Sequence, residues 1–537
     1  MEPNNRPRKA CDLCYTRKLK CDRQSPRCSN CVTYATDCTH AAERRKWEPK
    51  GRRNGRAQET AEIRSLRAQI QSLKAQVVRR AQDQAEDITN STTAALSQDQ
   101  PSKDTEKPIN SMSLPPLQES LAMIGVFLNT VNTVLPLFHT DTLLRIVGEC
   151  YALPPLQRDP VVWATINVVL ALASQHMPTG NTDGRDRFRT DRATEYLNKA
   201  QSIISQLMLG DIRLLNIQAL IGMIMVLQTA HDVTPSLILI SATMRLAHKL
   251  GLHSRAASAH LDPVERRQHA HVFWLAYILD KDLSLRAHQP SIQLDDDIDI
   301  ELPSPSLAAN EVNASACGIV ATADGKTKMN FFLARVQLAT IEGSIYDYLY
   351  STRAANRTVE QRLMAREGIT RTLEQWRASI PLEFEADVVT SNTSNNSAIG
   401  SFFCVLHSIS LQCITLWLPP GWECLVRQAR NFMVLFSKEW SGDAWFRWMA
   451  SCSYITAMGL LIANDLGNPE HSETRSDSQL VDAALVWLNE RISEGQKDDV
   501  RVLRDVCVEA VREVRRKRAE AIAMDNNLNH VSVMLPY

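Results

Sequence analysis

The stretch "CDLCYTRKLKCDRQSPRCSNCVTYATDC", Cys11 to Cys38, holds six of the thirteen cysteines in a chain of 537 residues. Their spacing is C-x2-C-x6-C-x6-C-x2-C-x6-C, formed by Cys11, Cys14, Cys21, Cys28, Cys31 and Cys38, so the unit C-x2-C-x6-C occurs twice. Such sulfurs serve as disulfides, as metal ligands or in redox chemistry. The start "MEPNNRPRKACDLC" lacks the apolar segment of a secretory signal. The most apolar run, Ala219–Leu227, is nine residues long, against the roughly 20 that span a bilayer. These features predict an intracellular chain with no membrane partner. Thiols there stay reduced, which favours metal or catalysis over disulfides.

Three cysteines per half leave a tetrahedral zinc one ligand short. Two such ions need eight coordination positions, and six sulfurs fill eight only when two of them bridge. The arithmetic therefore points to a cluster of two zinc ions, with nearby Lys and Arg offsetting its net negative charge. The segment resembles the fungal Zn2Cys6 binuclear-cluster DNA-binding domain at all six ligands, and Pro26 matches the proline between its halves. The resemblance implies that Cys11 and Cys28 are the bridging pair.

Charge patterning points the same way. Residues 1–58 carry fifteen Lys/Arg against six Asp/Glu, about +9 in a chain whose formal net charge is zero. A basic head on an acidic body suits a polyanion partner. The halves differ: "YTRKLK" follows the first C-x2-C and "VTYATD" the second. Only the first helix presents a cationic end, suited to guanine O6 and N7 in the major groove of double-stranded DNA. The resemblance implies a CGG-type triplet read by Lys18. Arg17, Lys20 and Arg23 are expected on phosphates, giving position and salt-dependent affinity. The basic linker "AERRKWEPKGRRNGR" (42–56) reads as an import signal for the nucleus.

Ile63, Leu66, Ile70, Leu73 and Val77 recur at spacings 3, 4, 3, 4. β-Branched residues at a and Leu at d predict a short parallel coiled coil, and hence a homodimer. One triplet alone carries too little specificity for a genome, which also favours pairing. Residues 81–114 are polar and almost free of aromatics, the composition of a disordered tether.

Beyond them, apolar segments of helical period and length dominate: 160–174, 214–230, 236–252 and 271–285. The fold class predicted is mostly α: a small N-terminal Zn2Cys6 cluster domain, a short coiled coil, a disordered linker and a large all-α C-terminal domain. Expected boundaries are 1–41 for the cluster, 42–58 for the basic linker, 59–80 for the coil and 81–114 for the tether. The body is expected over 115–523 and a flexible tail over 524–537. "LPLFHTDTLL" (135–144) and the stretch Arg266–Pro303 resemble the fungal-specific transcription factor domain, which implies a regulatory role.

No nucleophile elbow, phosphate-binding glycine loop or H-E-x-x-H occurs, so no enzyme is expected. "DDDID" (Asp295–Asp299) has the D-D-x-x-D spacing that holds Mg2+ in helical terpene synthases, but "NDLGNPEHSE" (464–473) fails as the second motif. Pro469 also breaks the helix such a motif rides on. The remaining cysteines, Cys150, Cys317, Cys404, Cys413, Cys424, Cys452 and Cys507, read as small apolar core residues. The reading is a nuclear regulator of RNA polymerase II genes with CGG-type half-sites, plausible in a metabolic or secondary-metabolite gene cluster. Its partners are DNA, a second copy, the transcription machinery and a possible small-molecule effector. The alternative is an intracellular ligand-binding or scaffold protein with a purely structural zinc module.

Overall fold

The computed structural model describes residues 10–11, 13–14, 21–24, 26–33, 36–39, 112–177, 185–228, 232–303, 318–389, 397–417, 421–438, 444–493 and 498–533. Arg17, Lys18 and Lys20 lie outside them, as do Ile63, Leu66, Ile70, Leu73 and Val77, the basic linker, residues 81–111 and Cys317. The chain divides into two compact units, Met1–Lys107 and Pro108–Tyr537.

The second unit is built from helices. They are α1 (Leu117–Asn129), α2 (Thr140–Ala152), α3 (Pro160–Gln175), α4 (Arg185–Gln201), α5 (Leu214–Leu227), α6 (Thr234–Lys249) and α7 (Pro263–Ala287). After a hairpin come α8 (Phe331–Ile345), α9 (Val359–Ala378), α10 (Ser397–Trp417), α11 (Trp422–Phe436), α12 (Ala444–Gly467), α13 (Thr474–Ser493) and α14 (Asp498–Val533). Two of the central helices start with the same dipeptide. Asp159 accepts from the backbone N–H groups of Val161 and Val162, and Asp262 from those of Val264 and Glu265. In each case Pro follows at the first helical position, where its missing N–H forfeits nothing. Helix α7 stops at His288, whose left-handed φ of 53° ends the helical run.

Burial runs without a break through Trp163–Ser174 of α3, Asn216–Val226 of α5 and Val272–Leu285 of α7. Helices buried on every side form the middle of a bundle, not its surface. Polar groups inside them bond to the preceding turn: Thr165 Oγ1 donates to the Val161 carbonyl and Asn167 Nδ2 to that of Trp163, at 2.7 and 2.8 Å. Gly222 lets α5 approach α3, since a Cβ there would lie 2.3 Å from Val168 Cγ1. One continuous apolar core joins Met123 of α1 to Val514 of α14, so residues beyond 420 share the body's interior.

Four observations depart from the sequence reading. A small antiparallel hairpin, β1 (Ile319–Ala321) and β2 (Lys328–Asn330), pairs Val320 with Met329. Its turn holds Gly325 at φ 69°, and the Asp324-Gly325 pair was its sequence signal. Second, α10 contains an 18-residue window, Ile399–Leu416, long and apolar enough to cross a membrane. Interleaved Ser, His and Gln hide it from a search for unbroken apolar runs. Most of that window is buried in the body, as in a core helix. Third, α14 continues to Val533, beyond the expected body end at 523, because no Gly or Pro interrupts 498–533. Fourth, Cys150, Cys404, Cys413 and Cys507 are buried, but Cys424 is half-buried and Cys452 faces solvent on α12.

Candidate metal centre and nucleic-acid interface

In the N-terminal unit, each C-x2-C pair starts a helical turn, at Leu13–Cys14 and at Ser29–Thr33. That geometry folds the second cysteine back over the first. The backbone N–H of Cys14 hydrogen-bonds the Cys11 sulfur, and that of Cys31 bonds the Cys28 sulfur. These are the largest influences lowering the pKa of Cys11 and of Cys28. On Cys14 the Asn30 side-chain amide pulls downward, but burial and neighbouring thiols outweigh it and push the thiol up to about 12. Burial raises Cys31 as well. Thiols this crowded resist ionising together unless a cation compensates them.

Cys11 Sγ lies 3.7 Å from Cys28 Sγ and 3.6 Å from Cys31 Sγ, and Cys14 Sγ lies 3.8 Å from Cys28 Sγ. A zinc holding four thiolates at about 2.3 Å sets its sulfurs roughly 3.8 Å apart. Two quartets of thiols each gather within 4.8 Å: Cys11, Cys14, Cys21 and Cys28, and Cys11, Cys28, Cys31 and Cys38. All six expected ligands are therefore brought together, and Cys11 and Cys28 belong to both quartets. The donor set, all soft sulfur, fits zinc. Among the described residues of this unit, these cysteines are also the core, with Ala10 and Leu13 packed against them. Folding here depends on what the sulfurs bind.

Supporting residues that the spacing alone did not single out surround the ligands. Asn30 Nδ2 lies 3.4 Å from Cys14 Sγ, aimed as an N–H donor to the thiolate. The Asp22 carboxylate accepts from the Ser29 backbone N–H at 3.2 Å and from its hydroxyl, holding the start of the second helical turn. The Ser29 hydroxyl is also the main cause lowering the Asp22 carboxyl pKa. Arg27 bridges Asp37 at 2.6 Å. Arg23, an expected phosphate contact, is exposed and sits at φ 57°, in the left-handed region that side chains seldom adopt.

Comparison with known proteins assigns both units. Residues 9–48 match the fungal Zn(2)-Cys(6) binuclear cluster domain, and residues 124–378 match the fungal specific transcription factor domain. The chain belongs to the fungal Zn2Cys6 transcription factors. Zinc binding by the cysteine cluster comes with that family. An ABC-transporter-regulating transcription factor of Aspergillus oryzae is 32% identical over 428 residues, covering 74% of this chain and 46% of the relative. The Fusaridione A cluster transcription factor of Fusarium heterosporum is 26% identical over 265 residues, 49% of this chain and 48% of the relative. The azaphilone cluster-specific transcription factor of Aspergillus niger is 24% identical over 459 residues, 80% of this chain and 93% of the relative. The chain spans about half the length of the first of these relatives.

The acidic run at 295–299 serves the fold. Asp295 accepts from the Tyr277 hydroxyl at 3.0 Å and bridges buried Lys281 at 2.9 Å, while Asp299 accepts from the Arg255 backbone N–H at 2.6 Å. Asp295–Asp297 form a 3-10 turn, not a helix face presenting carboxylates to a metal. The basic run near the C-terminus is spent within the body: Arg515 pairs with Asp482, Arg516 with Glu513 and Glu520, and Arg518 with Asp465.

Proposed function

We propose that the protein is a sequence-specific DNA-binding regulator of transcription, working in the nucleus as a homodimer on CGG-type half-sites. The overlap of the two sulfur quartets at Cys11 and Cys28 carries the reading. It accommodates two zinc ions in one compact module, and that module carries its basic residues asymmetrically. Lys18 is the base-reading residue; Arg17, Lys20 and Arg23 meet phosphates. Ile63, Leu66, Ile70, Leu73 and Val77 pair two copies, and the linker before them sets half-site spacing. The helical body regulates the factor and receives its effector and machinery contacts. The names of the Fusarium and Aspergillus niger relatives favour a regulator of a metabolic gene cluster.

Selection of bound sites from random DNA by the full chain, with and without chelator, tests this. The expected result is a CGG-like triplet that disappears on chelation. Recovery of no triplet, or indifference to chelator, overturns the reading. Lys18→Ala should flatten base preference, by about 1–3 kcal/mol at the read base pair, whereas Lys20→Ala should weaken all sequences alike. Equal behaviour of the two variants refutes their separate roles.

A further inference from the structure

Between the second half of α8 and the start of α9 the body opens to solvent in a groove of about 650 Å3. Small-molecule sites typically measure roughly 300–1,000 Å3. Small side chains leave the space: Thr340 and Ser344 line it from α8, and Ala365, Gly368 and Thr372 from α9. A Cβ on Gly368 would meet nothing within 4 Å, so packing does not require a glycine there. Glycine inside a helix lowers stability relative to alanine, and here it keeps the floor of the groove open. From Gln361 to Thr372 the groove follows roughly 16 Å of helix.

The groove is polar at one end only. Along its floor lie Ile341, Ile369, Ala365 and Met364, the last 73% exposed. The hydroxyl protons beside them are engaged. Ser344 Oγ donates to the Thr340 carbonyl and Thr372 Oγ1 to that of Gly368, both at 3.0 Å. Thr340 Oγ1 donates to the Val336 carbonyl at 3.2 Å. At the other end α8 gives way to a π turn, Tyr346–Tyr350, closed by the Ser351 N–H on the Tyr346 carbonyl at 3.0 Å. Such turns are rare and frequent at functional sites. Ser351 caps the short helix Thr352–Ala355 and Thr358 caps α9, which fixes Arg357 between two helix starts.

The Arg357 guanidinium lies over the Tyr348 ring, 3.8 Å from its centre. Asp347, beside Tyr348 in the turn, is bridged instead to Arg353 at 2.8 Å. No acidic residue lines the groove, and residues 346–372 hold five Arg against three Asp/Glu. Among the described residues, Arg357 has no carboxylate partner. Gln361 uses its carbonyl on the Thr358 N–H at 3.1 Å, and its NH2 group has no partner among the described residues. A guanidinium held flat on a ring keeps its N–H edge for a planar anion. One unpaired cation matches one negative charge, whereas an amine would meet no carboxylate here.

We propose that this groove binds a small molecule with one carboxylate head and an extended apolar body. The carboxylate meets Arg357 and Gln361, and the body lies along Ala365, Gly368 and Ile369. The proposal rests on the effector role given to the body above. Binding is read without DNA, so a failed DNA selection and a failed titration are separate results.

Octanoate, octanol and octylamine share a chain and differ in the head, and each is titrated into the full chain by ligand-observed NMR. Octanoate should bind best. Arg357→Met keeps an apolar stem on Tyr348 and removes the charge; it should weaken octanoate roughly 10-fold and leave octanol unchanged. Gly368→Leu projects a side chain into the open floor and should weaken octanoate and octanol together. Circular dichroism follows folding, and Gly368→Leu should melt no lower than wild type, because leucine favours a helix over glycine. If Arg357→Met does not fold, Gly368→Leu decides: weaker octanoate binding supports the proposal and unchanged binding overturns it. Octylamine binding as tightly as octanoate, no binding of any of the three, or a folded Arg357→Met that keeps full octanoate affinity would also overturn it.

Discussion

Arg430 and Asp477 make a buried ion pair that links α11 to α13, at 2.5 and 2.8 Å through two parallel hydrogen bonds. Asp477 is fully buried and Arg430 is 18% exposed. His471 stands 3.7 Å from Asp477 and 2.6 Å from Asp465, which Arg518 also bridges at 2.7 Å. Two carboxylates thus face two guanidiniums. Arg430→Met leaves Asp477 charged, buried and short of its main partner, which costs about 3–5 kcal/mol. For a unit of roughly 430 residues, an unfolding entropy of about 2.1 cal/mol/K per residue sums to about 0.9 kcal/mol/K. The expected loss is therefore about 3–6 K in the melting temperature of the body, read by calorimetry. Arg430→Met/Asp477→Leu removes the stranded charge and should recover at least half of it. A single variant that melts within about 1 K of wild type, or a double variant less stable than the single, refutes the reasoning.

Chelation should abolish the structure of the cysteine module while leaving the body's melting transition in place, because the module's core is sulfur and the body's is hydrocarbon. Limited proteolysis with and without chelator reads both at once, and loss of the body on chelation would contradict it. Glu342 gives a pH signature. Its folded pKa, raised to about 8 mainly by burial, lies above the unfolded value of about 4.3. The folded state therefore holds the extra proton between the two, and its contribution falls as pH rises from about 4.5 to 8. Glu342→Gln should flatten that part of the stability profile in urea titrations, and an unchanged slope would refute the assignment. His407 acts with the opposite sign. Burial holds its imidazole down at about 4, and its Nε2 bonds the Phe384 carbonyl at 2.9 Å. His407→Gln should lessen the loss of stability between about pH 6.5 and 4; a loss as steep as wild type would contradict this.

The cysteine centre was legible because its information is local: six cysteines within Cys11–Cys38, in a C-x2-C-x6-C unit that occurs twice. The central helices were legible for a similar reason, since α5 and α7 are apolar over more residues than a strand needs. What stayed hidden depends on distance in the chain. Arg430, Asp465, Asp477 and Arg518 come from four helices, and no local pattern announces that they meet. Asp282, Arg335 and Glu342 read as ordinary helix charges until α7 packs on α8. Gly343 permits that approach, since a Cβ there would lie 3.0 Å from Lys281 Cδ. Asn30 and Asp22 sat within the recognised segment, yet their roles follow from where the second helical turn points, not from ligand spacing.

Native mass spectrometry of the full chain, with metal content checked by elemental analysis, addresses the central claim most directly. Two quartets joined at Cys11 and Cys28 predict two zinc ions per chain. Cys28→Ala should lower both occupancies together, whereas Cys38→Ala should chiefly lower one. A single zinc per chain in the wild type, or a Cys28→Ala variant that keeps one full-affinity zinc and releases only the other, would contradict the shared-thiolate cluster.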